Sequence, residues 1–230
     1  MRTVIFANGV FKSSRYIQSA INKHELIIAV NGGTRHCISL GIQPDIIIGD
    51  MDSIDNDKLQ IFKKRGTEFL IFPRHKDQTD LELALIVSIE RGADEIIILG
   101  GLGKRWDMTL ANIFLLCKPD LNAATVRILD ADCEIILLRG GTAHTIHSEK
   151  GDLLSLMPLG GNVYGVTLSG LKYPLKNEML NLGCTRGVSN LFLGKTATIA
   201  MKKGLLLCVI EKDKAVSNVK ENHKRTRLPR

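Results

Sequence analysis

Hydrophobic positions in the first 130 residues fall in short unbroken runs. TVIFA (3–7), LIIAV (26–30), DIIIGD (45–50), TEFLIF (67–72), EIIILG (95–100) and TVRILD (125–130) are mainly apolar and rich in β-branched residues. Such runs predict strands covered on both faces. Between them lie longer segments, 11–23, 55–66, 79–92 and 106–118, that read as helices. In the third, Thr79 stands where it caps a first turn with Glu82 three residues on, Leu81 and Leu85 follow at helical spacing, and Gly92 ends the run. Strand and helix in alternation predict a mainly parallel sheet with right-handed crossovers.

From about residue 132 the pattern changes. CEIILLRGG, AHTIHSEKGD, LLSLMPLGG, VYGVTLSG, GKTATIAMKKG and LLLCVI are short strand-like runs separated by glycine-rich turns, with no helix-length segment among them. They predict an antiparallel sandwich or small barrel. The expected fold class is therefore an α/β N-terminal domain followed by an all-β sandwich-like C-terminal domain. The change falls between 131 and 140, which gives domains over 1–133 and 134–212 and a basic, disordered tail over 213–230.

Composition narrows the function classes. With 230 residues and 44% hydrophobic content the chain can bury a substantial core. Its apolar stretches fall short of the roughly 18 to 20 residues a membrane helix needs, and MRTVIFANGV lacks the longer apolar region of a signal peptide. The expected location is the cytoplasm. The five cysteines are widely spaced, which fits neither a disulfide framework nor a CxxC metal site and leaves reduced structural thiols. Of the net charge of +7, the last twenty residues contribute +4, with seven Lys or Arg against three acids. A solvated basic tail accounts for that excess, and no specific nucleic-acid partner is expected.

Ligands of an open parallel sheet bind beyond the carboxyl ends of its strands. Four polar clusters of this chain fall at such ends: Asn31-Gly32-Gly33 after LIIAV, GDMDS after DIII, RHKDQTD after EFLIF, and GGLGKRWD after EIIIL. The second and third carry Asp50, Asp52, Asp77 and Asp80. Each pair alone reads as a turn or helix cap, with Asp52 or Ser53 capping the helix near Asp55 and Asp77 or Thr79 capping the next. Together, four acids repel unless cations sit among them. Magnesium suits all-oxygen ligands combined with substrate phosphates, and the absence of a Cys/His cluster argues against zinc. GGLG followed by Lys104 and Arg105, ahead of a predicted helix, supplies close backbone approach and positive charge for phosphate, although it matches neither a Walker A loop nor GxGxxG.

GDMDSI, KDQTDLELAL, GGLGKRWDMTLANI, GLKYPL and GVSN, in this order, resemble the motifs of bacterial-type thiamine pyrophosphokinases over about residues 25 to 210. The resemblance implies transfer of a pyrophosphoryl group from ATP to the hydroxyethyl oxygen of thiamine, with Mg2+. It implies a homodimer of α/β and β-sandwich domains with thiamine sites between subunits. Asp50, Asp52 and Asp77 match the family's metal and catalytic acids, with Asp80 in the same DxxD element. Arg105 and Asp107 fall in its phosphate-side loop, and Asn31, Gly32, Gly33 and Lys104 are expected beside them on the nucleotide and phosphate side. Tyr173 falls where the family places an aromatic residue that stacks on the thiamine pyrimidine, and Ser189 and Asn190 match a polar pair that helps hold that ring.

Two positions depart from the family pattern. Asn31 stands where an aspartate is common, which removes one negative charge, and Met108 stands where a histidine is common, which removes a titratable group. Two alternatives remain at this level. One is a pyrophosphokinase acting on another alcohol such as a hydroxymethyl pterin. The other is a basic nucleic-acid-binding module, which an aromatic content of only 5% disfavours.

Overall fold

The computed structural model describes residues 1–212 except Ser53, Lys104 and the side chain of Asn56. Residues 213–230, where the sequence predicts a basic tail, lie outside the described residues. The chain divides into two compact units, one over Met1–Ala131 and one from Asp132 onward.

The first unit is a parallel sheet interleaved with helices. Its strands are β1 (Arg2–Phe6), β2 (Leu26–Val30), β3 (Ile46–Gly49), β4 (Glu68–Ile71), β5 (Glu95–Leu99) and β6 (Thr125–Asp130). Its helices are α1 (Arg15–Ile21), α2 (Thr34–Leu40), α3 (Asn56–Lys64), α4 (Asp80–Glu90) and α5 (Trp106–Leu115). The unbroken apolar runs have the expected cause: Ile5, Ile28, Ile47 and Ile98 are fully buried, because helices cover both faces. Each such isoleucine contributes about 1.5 to 3 kcal/mol of burial.

The strands lie in the order β6-β5-β1-β2-β3-β4, and all five pairings are parallel. The chain builds outward from β1 to β4, then crosses back to lay β5 on the other side of β1. The order therefore reverses between β1 and β5, and the loops leaving these two strands diverge to leave a crevice.

Two local details differ from expectation. α3 is capped by Asp55, whose side chain accepts from the Asp57 N–H, where Asp52 or Ser53 was expected; Ser53 lies outside the described residues. α2 was not expected at all: TRHCISL has no clear apolar period, yet it buries Thr34, His36 and Cys37 and is closed by Gly41 at φ 67. Thr79 caps α4 as expected, accepting from the Glu82 N–H at 3.2 Å. The Glu82 carboxylate does not close a reciprocal box, because it pairs with Lys118 at 2.7 Å.

The second unit is all-β. Its strands are β7 (Cys133–Arg139), β8 (Ala143–His147), β9 (Leu153–Pro158), β10 (Val163–Ser169), β11 (Leu175–Leu180), β12 (Asn190–Leu191), β13 (Thr196–Ala200) and β14 (Leu205–Glu211). Strands β12, β9, β14 and β7 pair in that order, and β11, β10, β13 and β8 form a second sheet, all antiparallel. Leu154, Leu156 and Leu206 from the first set meet Val166, Leu168 and Ile199 from the second in one core. Alternation in β9, with every second residue buried, is what a strand with one covered face requires. No disulfide joins the cysteines, and no helix among the described residues is long and apolar enough to cross a membrane.

Candidate active site

A cavity of about 520 Å³ opens where the strand order reverses. One wall is the segment after β1 and another is the glycine-rich segment after β5. The two are zipped together: Gly9 N–H donates to Gly100 O at 2.8 Å and Val10 N–H to Leu102 O at 2.9 Å. A Cβ on Gly9 would lie 2.3 Å from Leu102 O, so no side chain is tolerated there. From below, α5 secures the same loop, with Asn112 Nδ2 donating to Gly101 O at 2.6 Å and the Gly103 N–H donating to Thr109 Oγ1 at 3.2 Å. Val10, Val30, Leu81, Leu102 and Met108 give the cavity apolar walls.

The expected nucleotide-side residues Asn31, Gly32 and Gly33 form a 3-10 turn leading from β2 into α2. Both glycines are buried, and a Cβ on Gly33 would fall 2.0 Å from the Phe6 carbonyl oxygen. This close approach brings α2 against the end of β1. Asn31, at φ 44, connects three segments: its Nδ2 donates to Asp80 Oδ2 at 2.5 Å, and its Oδ1 accepts from the Met51 N–H at 3.2 Å. A carboxylate at this position would accept from Met51 but could not donate to Asp80.

Sequence reasoning missed Asn8, Gly9 and Arg35. Arg35 donates to Asn8 Oδ1, Asn8 O and Gly9 O at 2.6, 2.6 and 2.9 Å. Beneath it, buried His36 places Nε2 3.1 Å from Gly9 O and its ring centroid 5.2 Å from that of Phe11. Burial, helped by the nearby Arg35 charge and opposed by the Gly9 bond, pushes the His36 pKa down. Burial also pushes the neighbouring Cys37 thiol up to about 12, which excludes it as a nucleophile. The available signal was Asn8-Gly9 directly after a buried strand, the same mark that flagged Asn31.

The four carboxylates are distributed differently from the expectation. Asp80 lines the cavity and is paired with Lys76 at 2.7 Å as well as with Asn31. Asp52 is half exposed, with Arg74 at 4.0 Å, and Asp77 is exposed. Among the described residues no three His, Cys, Asp or Glu side chains are grouped to hold a metal ion. This corrects the electrostatic expectation: Lys76 and Arg74 already offset charge on Asp80 and Asp52, so repulsion alone does not demand a divalent ion. Asp50 differs: among the described residues its buried Oδ1 has neither a hydrogen-bond partner nor an ion pair, whereas Asp80 Oδ1, likewise without a hydrogen bond, faces Lys76. An orphaned carboxylate oxygen with a second acid two residues on fits a hard cation that takes one or two carboxylates and completes its shell with phosphate.

Arg105 lines the cavity at the start of α5, and Asp107 lies in the helix's first turn. Arg105 grips Asp107 through Nε at 3.2 Å and Nη2 at 2.5 Å, which holds the Asp107 carboxyl below the usual carboxylate range. Lys104 lies outside the described residues.

In the second unit Tyr173 is 56% exposed, with Lys172 Nζ 5.3 Å from its ring centroid. Asn190 is buried and committed to the backbone: Oδ1 accepts from the Tyr173 N–H at 2.9 Å and the Leu191 N–H at 3.0 Å, and Nδ2 donates to Tyr173 O at 2.8 Å. Its amide thus positions Tyr173, where sequence reasoning expected it to face a ligand. Ser189 is exposed at φ 60, with its N–H donating to Ser155 Oγ at 3.1 Å.

Comparison with known proteins adds an independent line. Residues 17–128 match the family model "Thiamin pyrophosphokinase, catalytic domain", and residues 143–206 match "Thiamin pyrophosphokinase, vitamin B1 binding domain". A thiamine pyrophosphokinase of Bacillus subtilis is 33% identical over 93% of this chain and 100% of its own length. Thiamine pyrophosphokinase 1 of Arabidopsis thaliana is 31% identical over 76% of this chain and 68% of its own. The crystal structure of a B. subtilis thiamine pyrophosphokinase superposes with a TM-score of 0.83 at 31% identity, covering 93% of this chain and all of that one.

Proposed function

The chain belongs to the thiamine pyrophosphokinase family, and from that premise we propose that it transfers the pyrophosphoryl group of ATP to the hydroxyl of thiamine, releasing AMP. The observation that carries this is the cavity between β1 and β5: a glycine-rich loop, apolar walls and arginines at its rim suit a nucleoside triphosphate. The match of residues 143–206 to a vitamin B1 binding domain favours thiamine over a pterin alcohol as acceptor and disfavours a nucleic-acid-binding role.

The thiamine hydroxyl oxygen forms a bond to the β-phosphorus while the bond from that phosphorus to the bridging oxygen of the α-phosphate breaks, and that oxygen leaves with AMP. The alcohol proton passes to an exposed carboxylate of the strand-end loops, Asp52 or Asp77. Arg105, steadied by Asp107, offsets phosphate charge from the rim of the cavity. The backbone of Gly100–Gly103 approaches the nucleotide closely. Mg2+, when bound, would supply further positive charge to the phosphate oxygens, and Asp50 with Asp52 are the residues that would hold it, since one or two carboxylates beside phosphate suffice. Tyr173, fixed by Asn190, offers its ring to the pyrimidine of thiamine, and Ser189 offers a hydroxyl beside it. Positioning and charge stabilisation, rather than a covalent intermediate, account for the catalysis.

The protein acts as a homodimer in this reading. Support comes from α5, whose outer face exposes Trp106, Leu110 and Phe114 at 75%, 48% and 54%, a stripe that a monomer would leave in water. The cytoplasm, where ATP is available, is the expected compartment.

The test is purified protein with ATP and magnesium, offered thiamine and, separately, a hydroxymethyl pterin. AMP release that depends on thiamine is the expected result. Release that depends on the pterin instead would reassign the acceptor.

A further inference from the structure

Three charged side chains line the cavity among the described residues: Arg35, Asp80 and Arg105. Two are already balanced, Asp80 by Lys76 at 2.7 Å and Arg105 by Asp107 at 2.5 Å. Arg35 has no carboxylate partner among the described residues. Its guanidinium is held by neutral oxygens only, those of the Asn8 side chain and of the Asn8 and Gly9 backbone. A guanidinium has five N–H donors, and these three bonds leave two for a ligand. Its base is rigid: α2 begins at Thr34, directly after the Gly32-Gly33 turn packed on β1, and Gly9 is zipped to the loop after β5.

A planar cation that is pre-oriented, unneutralised among the described residues and at the edge of a cavity suits phosphate, because its fixed charge and the remaining Nε and Nη1 N–H groups can meet phosphate oxygens with little loss of freedom. We propose that Arg35 is a nucleotide-binding residue of this enzyme, pairing with the phosphate chain of ATP while latching the Asn8–Gly9 wall of the cavity. This rests on the assignment of the cavity to ATP. The two duties are separable. The latch needs only N–H donors, and a glutamine supplies two against the three that Arg35 uses. The phosphate contact needs the charge.

The experiment measures ATP binding to the full chain at low and at raised salt, together with the unfolding midpoint without ligand, for the wild type, Arg35→Gln and Arg35→Lys. Arg35→Gln is expected to weaken ATP binding about tenfold at low salt. The gap should narrow as salt screens the lost charge, the unfolding midpoint should fall by no more than the loss of one exposed hydrogen bond accounts for, and Arg35→Lys should recover part of the loss. Unchanged ATP affinity in Arg35→Gln overturns the proposal. So does a loss that is independent of salt and accompanied by a larger fall in the midpoint, since that marks a latch and nothing more. Failure of the underlying assignment looks different: the wild type itself would then not bind ATP.

Discussion

At Asp50 one buried carboxylate oxygen lacks a partner among the described residues, although the next residue's N–H, that of Met51, is bonded to Asn31 Oδ1. That imbalance is tolerable if the oxygen serves a cation and a phosphate chain rather than the resting fold. Asp50→Asn keeps the shape and removes the charge, so turnover should fall by about two orders of magnitude or more while the unfolding midpoint holds. Near-normal turnover would remove Asp50 from the reaction. Gly33 sets the opposite case, a residue whose role is space. Gly33→Ala places a methyl 2.0 Å from the Phe6 carbonyl, and urea unfolding should show a loss of about 1 to 3 kcal/mol. A change within the error of the measurement would mean that α2 shifts freely against β1. The acids were legible in the sequence because they come in motifs. Asn8 and Arg35 were not, because their meaning depends on β1 lying beside β5 and α2, a neighbourhood the order of residues along the chain does not announce.

α5 shows why some elements resisted reading. Its polar residues Thr109 and Asn112 point inward to hold the glycine loop. Trp106, Leu110 and Phe114, one turn apart, face outward. A helix that buries its polar side inverts the usual rule, so the pattern gave its existence but not its orientation. In the proposed dimer this outward stripe is the contact surface. Leu110→Glu is expected to shift the protein from dimer to monomer in sedimentation. A dimer of undiminished stability in that variant would move the interface elsewhere. The helix at 34–40 was missed for a related reason: its buried members are Thr34, His36 and Cys37, and no apolar repeat marks it. The helix at 80–90 was easy, with its Thr79 cap and with Leu81, Ala84, Leu85 and Ser88 all buried.

Across the whole chain, the division into a parallel α/β unit and an antiparallel β unit was visible in the change from continuous to alternating apolar runs, since that change reflects how many faces of a strand are covered. Global stability should carry the mark of His36. Burial and the Arg35 charge hold its folded pKa below the ordinary value of 6.5. The unfolded chain therefore takes up this proton first as pH falls, so stability is complete above about 6.5 and declines below it. Urea midpoints followed from pH 7.5 to 5 should fall for the wild type and fall less for His36→Gln, while parallel curves would contradict the assignment. The central claim concerns which bond of ATP breaks, and phosphorus NMR of a reaction containing ATP, magnesium and thiamine observes it directly. Thiamine diphosphate and AMP should appear in equal amounts, with no ADP. Accumulation of ADP and thiamine monophosphate, or consumption of ATP that ignores thiamine, would contradict pyrophosphoryl transfer.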